Sequence, residues 1–179
     1  MAAAAGVSPE TVYGAFGSKA GLLHRVWDVT IGGDDEEVVF HERPEIMAMR
    51  AERDLRKKLV MHARMYTAVA HRTVPFTLMV RAASGHEPAA AEMLAEMGRQ
   101  RYEGMRVMAS EAAATGQLGV TEEECRDVIW TTTDGHLWDG LVRQRGWSDE
   151  RFATWLAQLW LAALKVRGRP TARSRGDRV

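Results

Sequence analysis

The stretch Gly6 to Leu23, GVSPETVYGAFGSKAGLL, constrains this chain most, because it stops and restarts a helix twice in the same way. Gly6 suits the positive φ that ends one helix, Ser8 can accept the free backbone N–H groups that begin the next, and Pro9 fits the first helical position. Gly17 and Ser18 repeat the device, with Gly17 as the stop and Ser18 as the cap of a helix running through Leu22, Leu23, Val26 and Trp27. In the short helix between them Val12 and Phe16 are four apart and face inward, which leaves Glu10, Thr11, Tyr13 and Gly14 toward the outer face. This is the spacing of the back half of a helix-turn-helix and its exit helix, an arrangement whose outer face enters a DNA major groove. Lys19 falls in the first turn of the exit helix.

The 179-residue chain as a whole sets broad bounds. It is long enough for a sizeable core. No apolar run approaches the ~20 residues needed to span a membrane, and Ala2 to Ala5 lack the flanks of a signal peptide, so a cytoplasmic protein is expected, with no membrane partner. The one cysteine, Cys125, has no internal disulfide partner, and no cofactor or metal is expected. Lys and Arg number 24 against 24 Asp and Glu, so the chain has no overall basic field to hold nucleic acid by charge alone. DNA binding must then rest on local geometry. The acidic run Asp34 to Glu37 lacks the spaced oxygen ligands of a calcium loop and reads as a solvated turn between an N-terminal module, residues 1–31, and a body, residues 45–167. Residues 168–179, with Arg169, Arg173, Arg175 and Arg178, read as a disordered basic tail.

The body shows no period-2 strand pattern, and an all-α fold is predicted. One helix is expected from about Arg53 to His71, a new start at Pro75 with a short apolar helix from Phe76 to Ala83, and a long helix from Pro88 to about Ala114. Thr121 followed by Glu122, Glu123 and Glu124 has the form of a helix N-terminus, for a helix reaching about Gln144. Ser148 opens the last one, where Phe152, Trp155, Leu156, Leu159 and Trp160 recur at spacings of three and four. The tryptophans of these two C-terminal helices suit an intramolecular core and suit burial against a second copy equally well.

The N-terminal residues resemble the TetR/AcrR family of transcriptional regulators, whose motif has the form A-G-V-S-x-x-T-(L/V)-Y-x-x-F-x-(S/N)-K-x-x-L-L. Here it reads Ala5, Gly6, Val7, Ser8, Thr11, Val12, Tyr13, Phe16, Ser18, Lys19, Leu22 and Leu23. The Gly116 to Leu118 stretch, the acidic start at Thr121 and the R-G-W-S-x-E-R-(F/Y) pattern over Arg145 to Phe152 are similar to a common form of that family's ligand-binding domain. Family members carry a full helix and most of a second before the motif, whereas only Met1 to Ala5 precede it here.

The resemblance implies a TetR-like helical bundle and a homodimer joined through the last two helices, with Trp155, Leu159 and Trp160 in the interface. It implies a repressor that leaves its operator DNA when a small-molecule effector enters the body and changes the distance between the two recognition helices. Ser8, Glu10, Thr11, Tyr13, Gly14 and Lys19 are the DNA-binding candidates. Candidates for the effector pocket are His62, Met65 and Tyr66 on one helix, Met79 on the next, and Trp130, Asp134 and Trp138 further on, since Met-rich walls adapt to irregular apolar ligands. Met and aromatic residues at helical spacing also have a plain core reading. Asp134, one turn from Trp130 and Trp138 on an apolar face, must be exposed, paired with His62 or an Arg, or turned to a polar cavity.

Two alternatives stand beside the regulator. A ligand-binding and dimerisation module deficient in DNA binding is expected if the missing helices are truly absent. An enzyme is disfavoured, since no nucleophile elbow, phosphate loop or dinucleotide fingerprint is present, and Asp134 and His136 on one helix would point apart.

Overall fold

The computed structural model describes residues 6–32 and 43–168. The acidic run Asp34 to Glu37, the tail beyond residue 168 and Met1 to Ala5 lie outside the described residues. Within them helix is the only regular secondary structure, so the fold is all-α.

The N-terminal helices follow their local chemistry. Gly6 has φ 67°, and the Thr11 N–H donates to Ser8 Oγ at 3.2 Å at the start of α1, Pro9–Phe16. Gly17 has φ 70°, and Ser18 Oγ accepts the Gly21 N–H at 3.0 Å at the start of α2, Lys19–Gly32. Both side-chain oxygens satisfy donors that a helix N-terminus leaves without intrahelical partners. The far end of α2 is held by Arg72, whose guanidinium donates to the Thr30 and Ile31 carbonyls at 3.1 and 3.0 Å.

A short helix α3, Pro44–Ala51, leads into α4, Leu55–Ala83, which is capped by Asp54 and runs straight through Pro75. The expected restart at Pro75 does not occur. Proline removes one donor and crowds the preceding turn, but Val74, Phe76 and Val80 around it are buried, and their packing holds the helix through the defect. Helix α5, Pro88–Ala114, lies against α4, and Thr115 with Gly116 at φ 70° ends it.

Helix α6, Glu122–Thr132, starts where the acidic sequence places it, with the Glu124 N–H donating to Thr121 Oγ1 at 3.1 Å. It does not reach Gln144. Gly135 adopts φ 99°, and the chain restarts as a single turn α7, His136–Trp138, that passes into a π-helical turn, Asp139–Gln144. Asp134 Oδ1 accepts the His136 N–H at 3.0 Å, a side-chain bond that competes with continued helix. The last helix α8, Asp149–Ala163, is capped by Ser148.

Two apolar clusters hold these elements together. The larger joins α4, α5, α6 and α8 through Leu59, Ala63, Ala109, Ile129, Phe152 and Trp160, and the smaller joins α2 to the end of α4 and the start of α5 through Trp27, Phe76, Val80, Met93 and Met97. Trp160 is 0% exposed, and its indole N–H donates to Thr132 Oγ1 at 2.7 Å. That corrects its assignment to a dimer face, because a side chain wholly enclosed by its own chain offers no surface to a second copy. Trp155 and Leu159 are half-buried, with Trp155 packed edge-on to Trp147 at 5.9 Å between ring centroids.

Candidate functional site: a cavity between the second, fourth and fifth helices

A partly open cavity of about 1470 Å³ is lined by residues of α2, α3, α4 and α5 and by Thr133 to Gly135 at the helix break. That exceeds the roughly 300–1,000 Å³ of an ordinary small-molecule site. His62, Met65, Tyr66, Val69, Thr73 and Thr77 line it from α4; apart from the adjacent Met65 and Tyr66 they follow at intervals of three or four, as one helical face requires. Helix α5 contributes Met97, Arg101, Met105 and Met108, and α2 contributes Trp27, Val29 and Ile31.

Of the effector-pocket candidates, the structure brings together His62, Met65, Tyr66 and Asp134. Met79, Trp130 and Trp138 do not line the cavity. Met79 is 54% exposed, because it shares the outer face of α4 with Arg72 and Pro75. Trp130 is turned outward, one position round from buried Ile129, and lies under the Arg101 guanidinium at 4.5 Å from its ring centroid. Trp138 follows the helix break and enters the core, edge-on to His71 at 4.8 Å between ring centroids. All three readings assumed uninterrupted or correctly phased helices.

The cavity wall holds polar groups in an apolar setting. His62 is 3% exposed, and neither ring nitrogen has a hydrogen-bond partner in the protein. Burial pushes its pKa down to about 4, with nearby Lys58 adding to the shift and Glu111 opposing it, so the imidazole is neutral at pH 7. One turn further along, the Tyr66 hydroxyl is also buried, near the Gly135 backbone but without a hydrogen bond of good geometry, and burial, with Asp134 adding to it and Arg101 and Gly135 opposing, pushes its pKa up. Both side chains are therefore uncharged hydrogen-bonding groups.

The charged groups around them are matched. Lys58, only 3% exposed, donates from Nζ to the Arg50 carbonyl at 2.7 Å and to Glu111 Oε2 at 3.1 Å, while Arg50 Nε donates to Glu111 Oε1 at 2.7 Å. Arg101 donates to the Trp130 carbonyl; its pKa is lowered by burial, an effect that the Asp134 carboxylate opposes. Asp134 is thus half-buried at the cavity edge beside His136 and is not bonded to His62. The break at Gly135 also brings Asp134 Oδ2 and His136 Nε2 to 3.8 Å, where an unbroken helix would have pointed them apart. His136 Nε2 also contacts the Arg81 guanidinium.

Lys58, Glu111 and Arg101 were missed from the sequence, although Lys58 stands four residues before His62 on an apolar stripe. That spacing was the available sign. Among the described residues no group of three or more His, Cys, Asp or Glu is placed to hold a metal ion, and no helix is long and apolar enough to cross a membrane. Cys125 is fully buried, with its thiol pKa pushed up to about 12 by burial, which keeps it protonated.

At the other end of the molecule Ser8, Glu10, Thr11 and Gly14 are exposed on or beside α1, with the Ser8 and Thr11 hydroxyls 3.2 Å apart. The Glu10 carboxyl is held below its usual range by its backbone hydrogen bond and by Ser8. Lys19 is exposed and forms an ion pair with Glu87, at the start of α5. The position of the Tyr13 side chain lies outside what is described. Val7, before α1, and Phe16, at its end, are 40% and 38% exposed, so the apolar residues at the two ends of this helix are only partly covered. Comparison with protein-family models, with curated proteins and with solved structures gave no match.

Proposed function

We propose that this chain is a ligand-responsive, DNA-binding transcriptional regulator of the TetR/AcrR kind, acting in the cytoplasm as a homodimeric repressor. The observation that carries this reading is the double role of α2, which follows α1 by a two-residue turn and also forms a wall of the cavity through Trp27, Val29 and Ile31. A ligand that prefers one spacing of α2 and α4 would shift the position of α1, and its differential affinity for the two arrangements sets how far. In this reading Glu10 and Gly14 on α1 meet base edges, Thr11 and the capping Ser8 meet phosphates, Lys19 adds a phosphate contact after leaving Glu87, and Tyr13 stands as a phosphate contact from its place in the sequence alone. Trp155 and Leu159 remain the half-buried residues of α8 available to a dimer contact.

Fluorescence anisotropy with labelled duplex from the promoter region beside the gene tests this reading. Specific binding should exceed binding to scrambled duplex, and Lys19→Ala should reduce the slope of log affinity against log salt by about 1. Equal affinity for specific and scrambled duplex at every salt concentration would overturn it.

A second reading, a ligand-binding and dimerisation module without DNA binding, is favoured by the exposed Val7 and Phe16. A helix of eight residues needs tertiary support to hold its shape, because isolated helices below ~12–15 residues are marginal in water. The same anisotropy titration separates the two.

A further inference from the structure

His62 and Tyr66 are four residues apart on α4 and face the same cavity, each buried and each holding polar atoms that no protein group satisfies. Hydrogen-bonding capacity in an apolar wall is costly to leave unmade, and an imidazole with two open nitrogens beside an open hydroxyl is a matched place for one small polar group. The groups available are one imidazole N–H, one imidazole lone pair and one phenol O–H. The two ring nitrogens point away from each other, so one oxygen atom engages one of them together with the phenol O–H.

The charge of that occupant follows from the neighbours. The lining carries as many carboxylates as arginines, five of each; Arg25 on α2 is exposed to solvent, Arg50 is engaged by Glu111, and Arg99 by Glu96. Arg101 is committed to Trp130 and faces Asp134, while Arg81 contacts His136. An anion at His62 would be stripped of water against neutral donors, with Glu111 close enough to act on the same imidazole. A cation would meet Lys58 and Arg101, and the two nearby carboxylates already face cations, Glu111 paired with Lys58 and Arg50 and Asp134 set against Arg101. Between these charged groups Met65, Val69, Met97, Met105 and Met108 supply an apolar and adaptable part of the wall.

We propose that the occupant of this cavity is an uncharged, mainly apolar small molecule with a single carbonyl or hydroxyl oxygen held between His62 and Tyr66. The proposal rests on the cavity being a ligand pocket, as the functional reading above has it, and adds the chemical class and the two residues that read it. Tyr66 donates its O–H to the ligand oxygen, and His62 donates from one ring nitrogen, or accepts if the ligand carries a hydroxyl.

The full-length chain is titrated with the uncharged dye Nile red, which is then displaced at pH 7.5 by 2-decanone, 2-decanol or decanoate, compounds of the same carbon count. The ketone or the alcohol should displace dye at a concentration at least about tenfold below that of decanoate. Tyr66→Phe and His62→Phe should each weaken binding of the better neutral compound about three- to tenfold, as calculated from its displacement curve with the Nile red Kd measured separately in each variant. If Nile red binds but decanoate displaces it as well as the neutral compounds do, the pocket takes anions and the proposal is wrong. Unchanged displacement in Tyr66→Phe, which keeps the ring and shape, would place the polar head elsewhere and also overturn it. If neither dye nor any of the three compounds binds, the pocket reading itself falls with the proposal.

Discussion

Trp27 stacks on Phe76 with ring centroids 5.7 Å apart and an interplanar angle of 22°. The same indole donates its N–H to Gln100 Oε1 at 3.0 Å, so one side chain of α2 is fastened to both α4 and α5. Through it the helix that follows α1 is attached to the two long walls of the cavity. Trp27→Ala should cost about 3–5 kcal/mol of stability and loosen α2. Hydrogen exchange should then accelerate in α2 while the centre of α4, around Leu59 and Ala63, stays protected; uniform acceleration would mean that Trp27 supports the whole fold and not the junction alone.

The Lys58 ammonium is the most deeply buried charge described, and Glu111 is its anionic partner. Removing one member of such a pair leaves the other ionised in a poorly solvated place. Glu111→Gln is expected to destabilise the chain by about 3–5 kcal/mol. Lys58→Met with Glu111→Gln together should recover much of that loss, because an apolar side chain of similar length replaces the buried cation. Urea unfolding of the three variants checks the order.

His62 makes stability depend on pH with a definite sign. Its folded pKa of about 4 lies below an unfolded value near 6.5, so the unfolded chain takes up a proton first as pH falls. The stability it contributes is fully present above pH ~6.5 and is lost between there and pH ~4, amounting to about 3 kcal/mol. Subtracting the profile of His62→Phe from that of the wild type should isolate this window. A flat difference between pH 7 and 4 would mean that the folded imidazole titrates normally.

How much of this could be read in the sequence depends on the range of the forces involved. The starts at Ser8, Ser18, Thr121 and Ser148 were legible because a cap is a matter of three or four adjacent residues, and the hydroxyl finds its N–H whatever the rest of the chain does. Pro75 misled because its local penalty is outweighed by the burial of Val74, Phe76 and Val80, which only the packed helices reveal. In the cavity, His62, Met65 and Tyr66 were found by their shared helix face, whereas Trp138 was misplaced by a helix phase that the Gly135 break destroys. Arg101 and Glu111 came from α5, and nothing local in that stretch says which way they face. Trp160 stood equally well in a core or an interface by pattern alone; its bond to Thr132 decides for the core.

The break itself supplies the last prediction. Gly135 has φ 99°, a conformation that side-chain-bearing residues rarely adopt, and a Cβ there would lie 3.2 Å and 3.3 Å from the two γ-carbons of Val74. Val74 is buried beside Pro75 in α4 and has little room to give. Gly135→Ala therefore combines backbone strain with crowding against a fixed wall, and about 1–3 kcal/mol of destabilisation is expected. Gly140 serves as the control, since it has an ordinary φ and a Cβ there would meet nothing within 4 Å. Gly140→Ala should be neutral or stabilise by up to about 1 kcal/mol, through the reduced freedom of the unfolded chain. Because Thr133, Asp134 and Gly135 close one side of the cavity, Gly135→Ala should also weaken Nile red binding, and Gly140→Ala should leave it unchanged. Equal stability of the two variants in urea would show that the turn tolerates a side chain, and that the Asp134 bond to His136 alone enforces the break.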